Sequence, residues 1–178
     1  MSPELEDIRR EVERLTRSWS EADWHAGPPG KWTTGQILQH LLLSYTGTTR
    51  GLLNVMKQGR LPASKPTLKD RWNTFWGTRA GFLPFGRTAP KNLAPTDGLD
   101  MNSQRRFYDA LVAMDATLTD AERRFGKSAK LLLHPFLGPL NAGEWRRFHR
   151  AHSRHHLKQI HQGLRNATAR TPDRELSR

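Results

Sequence analysis

The sequence predicts an all-α fold: an antiparallel four-helix bundle with a long crossover between the second and third helices. Three observations predict it. Apolar residues recur at helical period in four long stretches. Those stretches are bounded by residues that start or break helices. No alternating apolar–polar run of useful strand length occurs. At 178 residues the chain is one domain by length. Residues 1–170 are assigned to the bundle and residues 171–178 to a basic C-terminal tail.

The first helix begins with Ser2 as N-cap and Pro3 at the first helical position, where its missing N–H costs nothing. Leu5, Ile8, Val12, Leu15 and Trp19 form its apolar stripe, and Gly27-Pro28-Pro29-Gly30 breaks the chain after it. The second helix follows Thr33-Thr34-Gly35-Gln36, a capping box in which Gln36 reaches back to Thr33. Its inner face is Ile37, His40, Leu41, Ser44, Thr48, Gly51, Leu52 and Val55, and it ends near Gly59. Gly47 and Gly51 weaken this helix by about 1 kcal/mol each against alanine, and they are expected to admit a neighbouring backbone.

Residues 60–101 are rich in proline and glycine, with one short helix expected from about Leu68 to Trp76. A connection this long is a functional loop or a crossover. Its aromatic residues, among them Trp72, Phe75, Trp76, Phe82 and Phe85, are expected to pack onto the bundle and cover a pocket. The third helix starts near Asn102 and carries the stripe Phe107, Leu111, Met114, Leu118 and Phe125. Asn141-Ala142-Gly143-Glu144 is a second capping box, opening a fourth helix that runs to about Thr168.

Composition narrows the function classes. There is no cysteine, which excludes disulfides and thiolate metal sites and fits a cytoplasmic location. The acidic opening Met1-Ser2-Pro3-Glu4-Leu5-Glu6-Asp7 is not that of a signal peptide. No apolar run approaches the ~20 residues of a membrane span. The net charge of +12 is unaccompanied by any base-reading motif, so no specific nucleic-acid partner is expected. Any DNA binding should be weak, blind to sequence and lost steeply with salt in a titration.

The histidines carry the chemistry. His152 and His156, at i and i+4, stand one turn apart on one helical face. That face is shared by Trp145 and Gly163 and flanked by Phe148, His149 and Gln159, whereas His161 points away. The pair fits a transition-metal chelate, and it fits two hydrogen-bonded core imidazoles. His40 on the second helix can face them. His134, before Pro135, is expected to hold a loop through a backbone hydrogen bond.

The run His152-Ser153-Arg154-His155-His156-Leu157-Lys158-Gln159-Ile160 resembles the C-terminal helix motif of the DinB/YfiT-like proteins, small bacterial helical bundles. Lys31-Trp32-Thr33 followed by Gln39-His40-Leu41 looks like their second-helix signature. His134-Pro135-Phe136-Leu137-Gly138-Pro139-Leu140, then Trp145, is similar to an uncharacterised DinB-like subfamily. The likeness covers Leu5 to Gly163. One departure is Lys158, where many relatives have glycine.

The resemblance implies a divalent metal held by His40, His152 and His156. Zinc, nickel or iron(II) all suit three imidazoles with open positions. It also implies a transferase using a low-molecular-weight thiol. A metal-dependent hydrolase and a non-catalytic metal or ligand binder are the alternatives. Gln159 and His149 are candidates to hold an imidazole or a bound water, and equally fit plain packing; Ser44 and Tyr45 are candidates to line the pocket. The partner expected is a small-molecule substrate, with no membrane, and a homodimer is compatible with the reading.

Overall fold

The computed structural model describes residues 1–62, 67–79, 93–96 and 103–169. In chain order the elements are α1 (Pro3–Thr16), α2 (Glu21–Trp24), α3 (Thr34–Gln58), α4 (Leu68–Arg79), α5 (Ser103–Phe125), β1 (Leu132–His134), β2 (Gly138–Leu140) and α6 (Ala142–Ala169). The long helices α1, α3, α5 and α6 form the four-helix bundle, and the crossover joins α3 to α5. The basic tail, from Arg170, lies outside the described residues. So do Phe82 and Phe85 of the crossover, and of the side chain of Trp76 nothing is described.

Apolar periodicity determines how the helices meet. Leu5, Ile8 and Val12 of α1, Leu41 and Leu52 of α3, Phe107, Leu111, Met114 and Leu118 of α5, and Ile160 of α6 are fully buried in one core. Burying such a side chain contributes about 1.5–3 kcal/mol. Both capping boxes are formed. Gln36 N–H donates to Thr33 Oγ1 at 3.2 Å and Thr33 N–H to Gln36 Oε1 at 3.0 Å. At α6, Glu144 N–H donates to Asn141 Oδ1 at 2.9 Å and Asn141 N–H to Glu144 Oε2 at 2.7 Å. Lys130 anchors the same carboxylate. Gly59 ends α3 in the left-handed conformation, φ 63°, as glycine does without strain.

Four details differ from the sequence expectation. The first helix ends at Thr16, and Trp19 follows it as a separate core residue packed edge-on against Trp24 at 4.8 Å. Trp24 ends α2, a helix started by its own capping box from Ser20 to Asp23. A two-stranded antiparallel hairpin, Leu132 paired with Leu140 and His134 with Gly138, precedes α6. Gly51 is approached not by a backbone but by the Leu132 side chain of that hairpin: a Cβ there would sit 3.1 Å from it.

The described part of the crossover is held at both ends. Helix α4 packs on α6 and on β2, with Thr74 Oγ1 donating to Leu137 O at 2.8 Å. Its Trp72 and Phe75, however, are 67% and 49% exposed, so these rings lie on the outer side rather than in the core. Gly138 is required where α4 meets the hairpin. Its φ is +75°, and a Cβ would stand 2.5 Å from Asp70 Cγ. Gly138→Ala should therefore destabilise the protein by about 1–3 kcal/mol through strain and overpacking, read as a lowered urea midpoint.

Candidate metal centre

Helices α3 and α6 bring His40, His152 and His156 together. One nitrogen from each lies within 4.8 Å of the others. His152 Nε2 stands 3.1 Å from His40 Nε2 and 3.1 Å from His156 Nε2. The helical spacing on α6 supplies two of the rings, and the buried face of α3 supplies the third. Among the described residues the cluster contains no carboxylate.

Hydrogen bonds on the far side of two rings set their tautomers. His40 Nδ1 donates to the carbonyl of Leu93, in the crossover, at 2.8 Å. A carbonyl can only accept, so His40 carries its proton on Nδ1 and keeps a lone pair on Nε2. His156 Nδ1 donates to Gln159 Oε1 at 2.8 Å, which frees its Nε2 in the same way. Both lone pairs face His152 Nε2. A cation would be shared by all three nitrogens, and a backbone carbonyl or amide oxygen behind an imidazole is the usual support for a metal ligand. The covered Nδ1 of His152 has no hydrogen-bond partner among the described residues.

Aromatic rings wall the cluster. Trp32 stacks against His156 with centroids 6.4 Å apart and leans on His40 at 5.0 Å. Phe148 lies nearly parallel to His152 at 5.4 Å. Desolvation in this setting holds all three imidazoles below their ordinary range. His40 is lowered by burial, partly offset by the Leu93 carbonyl. His152 is held well below by burial, then by the charges of His156 and His40. Burial pushes His156 down to about 3, with His40 adding to it and Gln159 opposing. Neutral imidazole is the form that can ligate, so the cluster is ready for a cation at neutral pH without losing protons first.

The other predicted residues fall in different places. Gln159 supports His156 as expected. His149 is fully buried, accepts or donates at Thr48 Oγ1 over 3.0 Å, and stacks on Trp145, away from direct contact with the cluster nitrogens. Ser44 and Tyr45 are both buried, with their hydroxyls engaged. The Ser44 hydroxyl donates to its own helix at His40 O, and the Tyr45 hydroxyl is buried against Ser153 Oγ at 2.6 Å. His134 holds its turn, with Nδ1 accepting the N–H groups of Phe136 and Leu137 at 3.2 Å each. His161 faces Glu11 of α1 at 3.9 Å, away from the cluster. The Leu93 carbonyl could not have been found from residue types, because every residue has one.

The chain belongs to the protein family of unknown function DUF1569. That family's profile spans residues 2–163, which takes in all four long helices to within a few residues of the end of α6. The DUF1569 chain has no match among curated proteins or solved structures. Its bundle and three-histidine cluster are consistent with the DinB/YfiT-like architecture.

Buried histidines also give this DUF1569 member a pH signature apart from the cluster. Burial pushes His149 down to about 3 and His134 to about 4. In the unfolded chain each returns to about 6.5. Below that pH the unfolded state binds protons that the folded state refuses, so stability falls on acidification. The loss should begin near pH 6.5 and continue toward pH 4, on the order of 1 kcal/mol per pH unit for each histidine. Urea unfolding of chelator-treated protein at stepped pH reads this slope. His149→Leu should reduce it by one histidine's share, the other lowered imidazoles keeping theirs, and an unchanged slope in that variant would count against the assignment.

Proposed function

We propose that this protein holds a divalent transition metal through His40, His152 and His156 and acts as a metal-dependent transferase using a small thiol, in the manner of DinB/YfiT-like proteins. The observation that carries the metal reading is the convergence of three imidazole nitrogens, two of them with lone pairs fixed by Leu93 O and Gln159 Oε1. Zinc, nickel and iron(II) suit an all-nitrogen set. A bound ion would act as a Lewis acid and lower the pKa of a nucleophile at its open positions.

The cluster's composition favours a thiol over water as that nucleophile. Among the described residues no carboxylate belongs to the cluster, so these residues place no obvious general base beside a reacting water. A thiol, with a reference pKa of about 8.5 for cysteine, needs far less help to lose its proton. The chain has no cysteine, so the sulfur must arrive on a substrate. Trp32 and Phe148 cover the imidazoles and exclude water from two sides of the cluster.

Cobalt-loaded protein tests the reading. Adding a small thiol should produce a sulfur-to-metal charge-transfer band, and the same thiol should be consumed with a suitable electrophile. A spectrum indifferent to every small thiol tried, together with metal-dependent hydrolysis of activated esters, would replace the transferase by a hydrolase. Metal binding with neither activity would leave a binding protein.

A further inference from the structure

We propose that His155 is a positioning residue for the cluster: through Gln159 it holds His156 in the tautomer whose Nε2 keeps a lone pair. This rests on the reading of the three imidazoles as a metal site. His155 lies off the cluster-facing stripe of α6 and contributes no nitrogen to the cluster. Its Nε2 stands 3.2 Å from Gln159 Nε2, one turn further along the helix. The other end of the same amide, Gln159 Oε1, stands 2.8 Å from His156 Nδ1. One side chain therefore bridges two adjacent histidines, one with each end of its amide.

The two ends of an amide are not equivalent. Its nitrogen only donates and its oxygen only accepts. In the observed orientation Gln159 Nε2–H donates to His155 Nε2, and His156 Nδ1–H donates to Gln159 Oε1. Every bond in this chain has one donor and one acceptor. Turning the amide over would put its NH2 against His156 Nδ1. That contact is satisfied only if His156 moves its proton to Nε2, which removes the lone pair that faces His152. Turning it over would also put Oε1 against His155 Nε2, a contact satisfied only if His155 moves its proton to Nε2 as well, so with His155 present the amide reverses only when both rings change tautomer together. Without His155, only the contact with His156 would orient the amide, and the amide would be free to satisfy either tautomer of that ring.

The geometry is local to α6. His155 and Gln159 are separated by four residues, and His156 and Gln159 by three, the two spacings at which side chains on a helix meet. His155 is only partly buried, so its removal leaves the core intact.

Zinc titration of the full-length protein against a competing chelator tests the relay. Gln159→Ala should weaken zinc binding by about 10–100-fold, the usual cost of losing a ligand's outer partner. His155→Ala should weaken it less, by about 3–10-fold, because the amide remains but loses its orientation. In a Gln159→Ala background, His155→Ala should have no further effect. Nitrogen-15 NMR of the imidazoles in chelator-treated protein gives an independent reading. His156 should carry its proton on Nδ1 in the unaltered protein, and His155→Ala should introduce the Nε2–H form. Unchanged zinc affinity and tautomer in His155→Ala would overturn the proposal, and so would an equal loss in the presence and absence of Gln159. If the unaltered protein takes up no zinc, the metal reading fails, and the tautomer comparison alone decides whether the relay exists.

Discussion

Alanine at His40, His152 or His156 should each weaken zinc binding by more than about 100-fold, beyond the 10–100-fold typical of losing an outer partner. Each substitution removes one of the three nitrogens, and among the described residues the cluster holds no carboxylate that could take its place. His161→Ala is the matched control. It lies on the same helix but faces Glu11 on α1, so zinc affinity should not change. Competitive titration reads both, and circular dichroism confirms that the helices persist. Equal losses for His161→Ala and His156→Ala would mean that the ion sits elsewhere. The three substitutions should also differ in stability without metal. His152 has only its Nε2 contacts, but His40 is tied to Leu93 O and His156 to Gln159 Oε1 as well, so the loss of either also leaves an oxygen without its donor.

The sequence made the bundle legible because its signals are periodic and long. Stripes such as Phe107, Leu111, Met114 and Leu118 repeat over several turns, and both capping boxes use residue types that few other local structures require. The histidine pair was legible for the same reason: i, i+4 spacing has a single geometric meaning once the helix is secure. Short elements were not. Helix α2 has four residues, less than two turns, and each hairpin strand has three, with Pro139 in one of them. Neither length can display a period. The support of His40 by a crossover carbonyl was invisible because backbone groups leave no mark on residue type. Tyr45 misled in the other direction: a hydroxyl beside the histidine stripe looked like a pocket group, yet Ser153 satisfies it inside the core.

Arg146 shows the same limit, since a periodicity argument assigns arginine to solvent, and it leads to the largest stability effect expected outside the core. Its guanidinium joins α6 to α5 through three bonds: Nε to Asp115 Oδ1 at 2.7 Å, one terminal nitrogen to Glu122 Oε2 at 3.0 Å, and the other to Thr119 Oγ1 at 2.8 Å. The Asp115 side chain is only 4% exposed and that of Arg146 14%. Desolvation acts against the charge on Arg146, but the bonds to Asp115 and Glu122 outweigh it and raise its pKa. Arg146→Met keeps the length of the side chain and removes the charge, leaving the buried Asp115 carboxylate without its guanidinium. Breaking one side of a buried pair costs about 3–5 kcal/mol. The low end, about 3 kcal/mol, is expected here because Glu122 reaches water and Ser2 N–H still donates to Asp115 at 2.5 Å. Urea unfolding at neutral pH should show this as a lowered midpoint with an unchanged slope. Arg105→Met is the contrast. Its partner Asp109 lies 3.9 Å away and both side chains are largely exposed, so the midpoint should stay where it is. Adding Asp115→Leu to Arg146→Met should recover part of the loss, because the stranded charge rather than the missing bonds is the main cost. No recovery in the double variant would show that the bonds themselves hold α5 to α6.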